Sequence, residues 1–182
     1  MGIKLGFYRM NPDVQIPGLG TSMSACFDLR FCPTQDAVYG YDKYNLPVSR
    51  YVDKSLRVVG IHPGDRLLVP TGLVFKIEAY VSASSVKEIL NRYSIRLHAR
   101  SGLALKRGLV LSNSEGIVDV DYQQEVFVML TNVSDIHQDI EFQERIAQAE
   151  IVRNEGFTLT ELSAKPEAYS ERNGGFGSTG TA

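Results

Sequence analysis

The sequence is short of cysteine, short of net charge and without a long apolar run, and each shortage closes off a class of protein. Only Cys26 and Cys32 occur in 182 residues, too few for a fold stapled by disulfides. If the chain between them is extended, six residue steps separate them by roughly 20 Å. A disulfide needs Cα atoms within about 7 Å, so both read as free thiols. The formal net charge of −2 offers no basic stripe for a nucleic-acid backbone and no acidic block. No segment approaches the length of a membrane-spanning helix, and MGIKLGFYRMNPD has no apolar stretch or cleavage pattern of a leader. A cytoplasmic location, or a nuclear one in a eukaryote, is the expectation. What is present is ordinary: 43% hydrophobic residues, enough in a chain of this size for one domain with a true core.

The rhythm is β. Short apolar or alternating runs recur between Gly, Pro, Asn and Asp punctuation. Strands are expected at Ile3–Arg9, Ser24–Phe31, Leu56–Ile61, Arg66–Pro70, Leu73–Ile77 and Ile95–Ala99. Further strands are expected at Leu109–Leu111, Gly116–Val118, Glu125–Thr131, Gln138–Phe142, Ala147–Val152 and Phe157–Leu162. Many short strands with few helices indicate a barrel or double-sheet jelly roll. One helix is expected, over SSVKEILNRY at 84–93: Val86, Ile89, Leu90 and Tyr93 fall on one helical face, and Ser85 with Glu88 forms a capping box. Residues 32–55, with Tyr39, Tyr41, Tyr44 and Tyr51 among Gly, Pro and charges, read as a long excursion rather than core. The run VFVML at 126–130 is apolar at every position, so the expectation is a strand covered on both faces, the second by a partner subunit.

Taken singly, the polar clusters say little. Asp28 in SACFDLRF could end a strand, Arg100 and Ser101 in HARSGLALKRG could form a turn, and Asp119 and Asp121 could sit at a hairpin tip. The tail SERNGGFGSTGTA has the composition of a flexible terminus, although glycine-rich backbone can also wrap a phosphate.

In order they are specific. SACFDL, ARSGLALKRG, NSEGIVDVDYQQE, FQERIAQ and GGFGSTG together resemble the five-motif signature of the trimeric dUTPases, over about residues 20–180. The resemblance implies a distorted jelly-roll or β-barrel, all-β with one short inserted helix, assembled as a homotrimer whose sites are shared between subunits. The implied reaction splits dUTP into dUMP and pyrophosphate, limiting uracil in DNA and supplying dUMP for dTMP synthesis. Asp119 matches the base that activates the attacking water, and an ordinary Asp is already ionised at neutral pH. Asp28 matches a carboxylate reaching Mg²⁺ through its water shell. Arg100, Ser101 and Gly102 match phosphate contacts, and Gln148 a contact near the α-phosphate, while Arg145 reads as a structural charge in need of a partner. Asn113, Gly116 and Val118 match the hairpin that pairs with the uracil edge and leaves no room for a 5-methyl group. Tyr122 matches the aromatic residue beneath the deoxyribose. Arg172, Phe176, Gly177, Ser178 and Thr179 match an arm closing over base and γ-phosphate.

Under the resemblance, residues 1–168 form the β domain, with insertions at about 32–55 and 80–95, and 169–182 form the arm. There are departures. Arg172 stands one residue nearer GGFGSTG than is usual, Cys26-Phe27 replaces a Gly-Tyr pair before Asp28, and Ala99 stands where proline is common. A deaminase of dCTP, which shares the fold, would carry a catalytic Glu ten residues after Asp119, where this chain has Met129. The alternative of a different class is a dUTPase-like protein whose insertions bind and regulate another protein. No direct contact with nucleic acid or membrane is expected.

Overall fold

In the computed structural model of the chain, residues 2–80, 86–167 and 169 are described. In chain order they form β1 (Gly2–Arg9), β2 (Phe27–Arg30), β3 (Ala37–Tyr41), β4 (Pro47–Tyr51), β5 (Val58–Ile61), β6 (Arg66–Pro70) and β7 (Leu73–Tyr80). There follow α1 (Val86–Leu90), β8 (Tyr93–His98), α2 (Ser101–Arg107), β9 (Leu109–Leu111), β10 (Gly116–Asp119), β11 (Phe127–Asn132), β12 (Gln138–Glu141) and β13 (Arg145–Arg153). The pairings are antiparallel. They build a four-stranded sheet in the order β10-β8-β13-β2, a five-stranded sheet β4-β3-β6-β11-β9, and the pairs β1-β7 and β12-β5. Far-separated strands pair within each large sheet, the pattern of the jelly-roll class.

Period-two alternation decides which faces pack together. In β6, Leu67 and Val69 are fully buried while Leu68 faces out, and in β11 Val128 and Leu130 are buried while Met129 is exposed. Leu29, Phe31, Ile61, Ile140, Ile146 and Ala149 complete the core from the other strands. The VFVML run is therefore core on one face only within this chain. Met129 stands opposite Leu68, and both line a cavity described below.

Several expectations need correction. Residues 32–55 are not an excursion: β3 pairs with both β4 and β6, and Cys32, Val38 and Val52 are buried. A Cβ at Gly40 would lie 1.9 Å from the Arg66 carbonyl oxygen, so glycine there permits the close approach of β3 to β6. The helix expected at 84–93 is described over Val86–Leu90 and stops short of Tyr93, which pairs with Arg153 and begins β8. Ser85, half of the capping box, lies outside the described residues. Among the described residues there are two short helices rather than one. The second, α2, occupies SGLALKR and ends on Gly108, whose φ of 64° lets its N–H reach the carbonyls of Leu103 and Ala104. Phe157–Leu162 forms no strand, and Phe157, Leu159 and Leu162 stand exposed. Both cysteines are free thiols, with Cys32 buried.

The hairpin β3–β4 is fastened by a buried carboxylate. Asp65 is 1% exposed and accepts two hydrogen bonds from Arg50, from Nε at 2.7 Å and Nη2 at 2.9 Å. It accepts a third from the His62 backbone N–H at 3.0 Å. Removing the guanidinium leaves an unpaired buried charge, so Arg50→Ala is expected to cost about 3 kcal/mol. Tyr51→Ser, at an exposed neighbour, is expected to shift stability by less than about 0.5 kcal/mol. Urea denaturation at fixed protein concentration measures both, and equal effects would mean that the hairpin is not fastened at Asp65.

Candidate functional site

Residues directly opposite one another on antiparallel strands present their side chains on one face. In the four-stranded sheet Asp28 stands opposite Gln148, and Gln148 opposite His98. Phe27, Ala149 and Leu97 form the next row and point to the core side. Asp28, Gln148 and His98 therefore share the outer face.

Arg100 closes on this row from the start of α2. Its Nε lies 3.3 Å from Asp28 Oδ1, and its Nη1 donates to the Arg145 carbonyl oxygen at 3.1 Å. Arg145 Nη1 donates to Asp28 Oδ2 at 3.3 Å. Asp28 is thus held between two guanidiniums, and Arg145 has the partner that its charge requires. Ser101 and Gly102 begin α2, where backbone N–H groups have no partner inside the helix. A Cβ at Gly102 would meet nothing within 4 Å, so packing inside the chain does not demand glycine there. An open cleft of about 570 Å³ borders Asp28 and Arg145 and also takes in Arg9 and Arg30.

The second group of expected residues gathers elsewhere. The turn into β10 is tight: Ser114 has φ of 62°, and the Glu115 N–H donates to the Asn113 carbonyl at 2.6 Å. A Cβ at Gly116 would sit 2.9 Å from Leu97 Cβ, so the strand packing itself requires that glycine. After β10 the chain turns back, the Tyr122 N–H donating to the Asp119 carbonyl at 3.1 Å and the Tyr122 hydroxyl to the Glu125 carbonyl at 2.9 Å. Asn113, Gly116, Val118 and Tyr122 then line one cavity of about 300 Å³, with Leu68 and Met129 opposite. It is mainly apolar, with one amide and one phenol, and its size is at the lower end for small-molecule pockets. Asp119 is exposed at the end of β10, and its carboxylate makes no hydrogen bond or ion pair among the described residues.

The sheet keeps the two carboxylates apart. Asp119 stands opposite Ser94, four residues along β8 from His98, and Asp28 lies three strands across. At about 3.3 Å per residue and 4.8 Å per strand, they are roughly 20 Å apart. One chain therefore brings together Asp28, Arg100 and Gln148, and separately Asn113, Gly116, Val118 and Tyr122, but not Asp28 with Asp119. Arg172, Phe176, Gly177, Ser178 and Thr179 lie outside the described residues.

Glu125 was not singled out from the sequence, yet it anchors the turn that carries Tyr122. Only 8% exposed, it accepts from the Gly72 N–H at 2.7 Å and from Thr34 Oγ1 at 2.9 Å. The sequence signal was a carboxylate beside an apolar run, where a buried acid must find donors. Burial raises its pKa above the ordinary 4.5, and the bonds from Gly72 and Thr34 offset part of that rise.

A dUTPase family model matches residues 54–180. Curated proteins named deoxyuridine 5'-triphosphate nucleotidohydrolase are similar over nearly the whole chain. That of Heliobacterium modesticaldum is 34% identical, covering 98% of this chain and 97% of its own length. That of Nautilia profundicola is 35% identical, covering 98% and 99%. Among solved structures, Staphylococcus bacteriophage 80alpha dUTPase with dUPNHPP matches with a TM-score of 0.69 at 20% identity, covering 97% of this chain and 98% of that one. Streptococcus mutans dUTPase matches at 0.54 and 22%, covering 87% and 99%. At such identities the structural matches speak for the fold.

The raised pKa of Glu125 fixes the sign of a pH effect. Above the ordinary 4.5 the unfolded chain has released a proton that the folded chain still holds, so the Glu125 contribution to stability falls as pH rises and levels off above the raised pKa. In urea unfolding from pH 4.5 upward, the wild type is expected to lose stability relative to Glu125→Gln. A relative stability that climbs with pH would contradict the raised pKa.

Proposed function

The chain belongs to the dUTPase family, and from that premise we infer that it is a dUTP diphosphatase, cleaving dUTP to dUMP and pyrophosphate. The observation that carries this reading is the cavity shared by Asn113, Gly116, Val118 and Tyr122. Its volume suits a nucleobase with part of its sugar, and a triphosphate would extend beyond it. The Asn113 amide and the hairpin backbone pair with the uracil edge, and Tyr122 lies against the deoxyribose. The close walls reject a 5-methyl group.

Asp119 directly follows Val118 in β10 and acts as the base. Its carboxylate is exposed and makes no ion pair among the described residues, and it accepts the proton of the water aimed at the α-phosphorus. Asp28, Arg100, Ser101, Gly102 and Gln148 handle the phosphates. Arg100 carries the donors for phosphate oxygens and exchanges Asp28 for the anion when substrate arrives. Ser101 donates toward the bridging oxygen on which charge develops. Asp28, flanked by two arginines, is a poor holder of a bare divalent ion but suits a contact through water to Mg²⁺ that arrives on the triphosphate. When bound there, the ion would neutralise phosphate charge. Arg172, Phe176, Gly177, Ser178 and Thr179 would close over the base and γ-phosphate.

The separation of roughly 20 Å between Asp28 and Asp119 supports sites built between chains. A general base must come within hydrogen-bond reach of its water, so Asp28 of one chain works with Asp119 of another. A homotrimer supplies three such boundaries by rotation. Exposed Phe157, Leu159, Leu162 and Ile117 are apolar surface for the same assembly.

Pyrophosphate release with Mg²⁺ is expected for dUTP but not for dCTP, dTTP or UTP, and chelation should stop it. Asp119→Asn should lower kcat at least about 100-fold while dUTP still binds; a near-normal kcat would remove Asp119 from the role of base. Inactive Asp28→Asn and Asp119→Asn chains, refolded together, are expected to regain about a quarter of wild-type activity, since each mixed trimer holds one site with both carboxylates. No recovery in verified mixed trimers would place the two residues in the same chain's site.

A further inference from the structure

We propose that Cys26, His98 and Glu150 form a second cation site, selective for a thiophilic divalent metal of the zinc class and separate from the Mg²⁺ that accompanies substrate. The register produces the site. Glu150 lies two residues beyond Gln148 on the outer face of β13, His98 stands opposite Gln148 on β8, and Cys26 immediately precedes β2, two residues before Asp28. One donor atom from each of the three side chains lies within 4.8 Å of the others. All three are half-buried, which leaves a route in for an ion.

The donors fit one class of metal. Sulfur, imidazole nitrogen and carboxylate oxygen are the ligands of tetrahedral Zn²⁺, at about 2.0–2.3 Å, with a fourth position for water. That geometry needs donors about 3.5 Å apart, so side-chain shifts of about 1 Å suffice. Mg²⁺ and Ca²⁺ demand oxygen ligands, of which the triad offers only those of Glu150.

The histidine is already oriented. Its Nε2 lies 3.0 Å from Glu150 Oε1, while Nδ1 faces Glu115 Oε1 at 3.7 Å. Glu115 is itself held by Arg96 at 3.0 Å. A carboxylate behind Nδ1 favours the tautomer whose Nε2 lone pair binds metal, the usual outer support of a metal-bound histidine. Charge separates this site from its neighbour. Asp28 lies against Arg100 and Arg145, whereas His98 of the triad has two carboxylates beside it, Glu150 within the triad and Glu115 behind it, with one guanidinium, Arg96, paired to Glu115. The site also gives a use to Cys26, which stands where the family resemblance leads one to expect glycine. A bound ion would tie β2, β13 and β8 together beside Asp28 and Gln148.

The test is a Co²⁺ titration of the whole chain, stripped with chelator and kept reduced without thiols. The expected result is one Co²⁺ per chain with a near-ultraviolet sulfur-to-cobalt band and visible bands of tetrahedral intensity. Zn²⁺ should displace it, and excess Mg²⁺ should not. Cys26→Ser should abolish the ultraviolet band, Cys32→Ser should leave it, and Glu115→Gln should weaken binding by about 10–100-fold. No band, a band that survives Cys26→Ser, or one lost with Cys32→Ser would overturn the site. X-ray absorption of the Zn²⁺-loaded wild type keeps the proposal testable even if a variant misfolds: one sulfur at about 2.3 Å is required, and a shell of nitrogen and oxygen alone would overturn it.

Discussion

One hydrogen-bonding register sets which polar side chains share the outer face of the four-stranded sheet and how far Asp119 stands from them. Asp28 opposite Gln148 opposite His98 places carboxylate, amide and imidazole in a row, because opposed residues on antiparallel strands share a face. A slip of one residue would turn all three toward the core and bring Phe27, Leu97 and Ala149 out. The slip is opposed by the burial of Leu97 and Ala149, so the apolar face of the sheet holds the polar face in place. The same register sets Asp119 opposite Ser94, at the far corner of the sheet. Asp119 is thus fixed to the same sheet as Asp28 and Gln148, yet lies too far across it to meet them within one chain.

Along the outer face, two neighbouring electrostatic environments differ in sign. Arg100 and Arg145 converge on Asp28, a surplus of positive charge that a triphosphate can relieve. A few residues along the same strands, Glu150 and Glu115 flank His98. The two environments can lie so close because the strand pleat directs each side chain: Asp28 meets Arg145 of β13 and Arg100 ahead of α2, whereas His98 meets Glu150, further along β13, and Glu115 ahead of β10. Beneath the other edge, the cavity of Asn113 and Tyr122 is mainly apolar. The apolar cavity and the charged row therefore lie on different surfaces of the chain.

Much of this was legible in the sequence because strands advertise themselves by alternation. Leu67 and Val69, or Val128 and Leu130, alternate with positions that face outward. The order of the polar motifs then supplied the residues that gather at the two surfaces. What escaped were elements whose character is tertiary. Residues 37–51 carry tyrosines and charges that read as loop, yet Gly40 allows β3 to approach β6 and Arg50 neutralises buried Asp65. SGLALKR is too short to show a helical period, and its stop signal, Gly108, is clear only once its carbonyl partners are known. In the opposite sense, Phe157–Leu162 alternates like a strand but has no strand pairing among the described residues. Alternation reports a wish to be half-buried, not the surface that will do it. The VFVML run makes the same point: within this chain its second apolar face borders a cavity.

The buried acids show how polar groups can support such a fold without weakening it. Asp65 and Glu125 are both nearly inaccessible, but they are compensated differently. Asp65 meets the Arg50 guanidinium through two hydrogen bonds, which fasten the β3–β4 hairpin. Glu125 meets only neutral donors, from Gly72 and Thr34, so burial is incompletely offset and its pKa rises. The bonds it accepts tie its side chain to Gly72 and Thr34, and its own carbonyl receives the Tyr122 hydroxyl. Tyr122 in turn forms one wall of the cavity. The precision of that wall therefore rests on a carboxyl group outside the cavity, and a neutral replacement there would test position rather than contact, since Glu125 itself does not line the cavity.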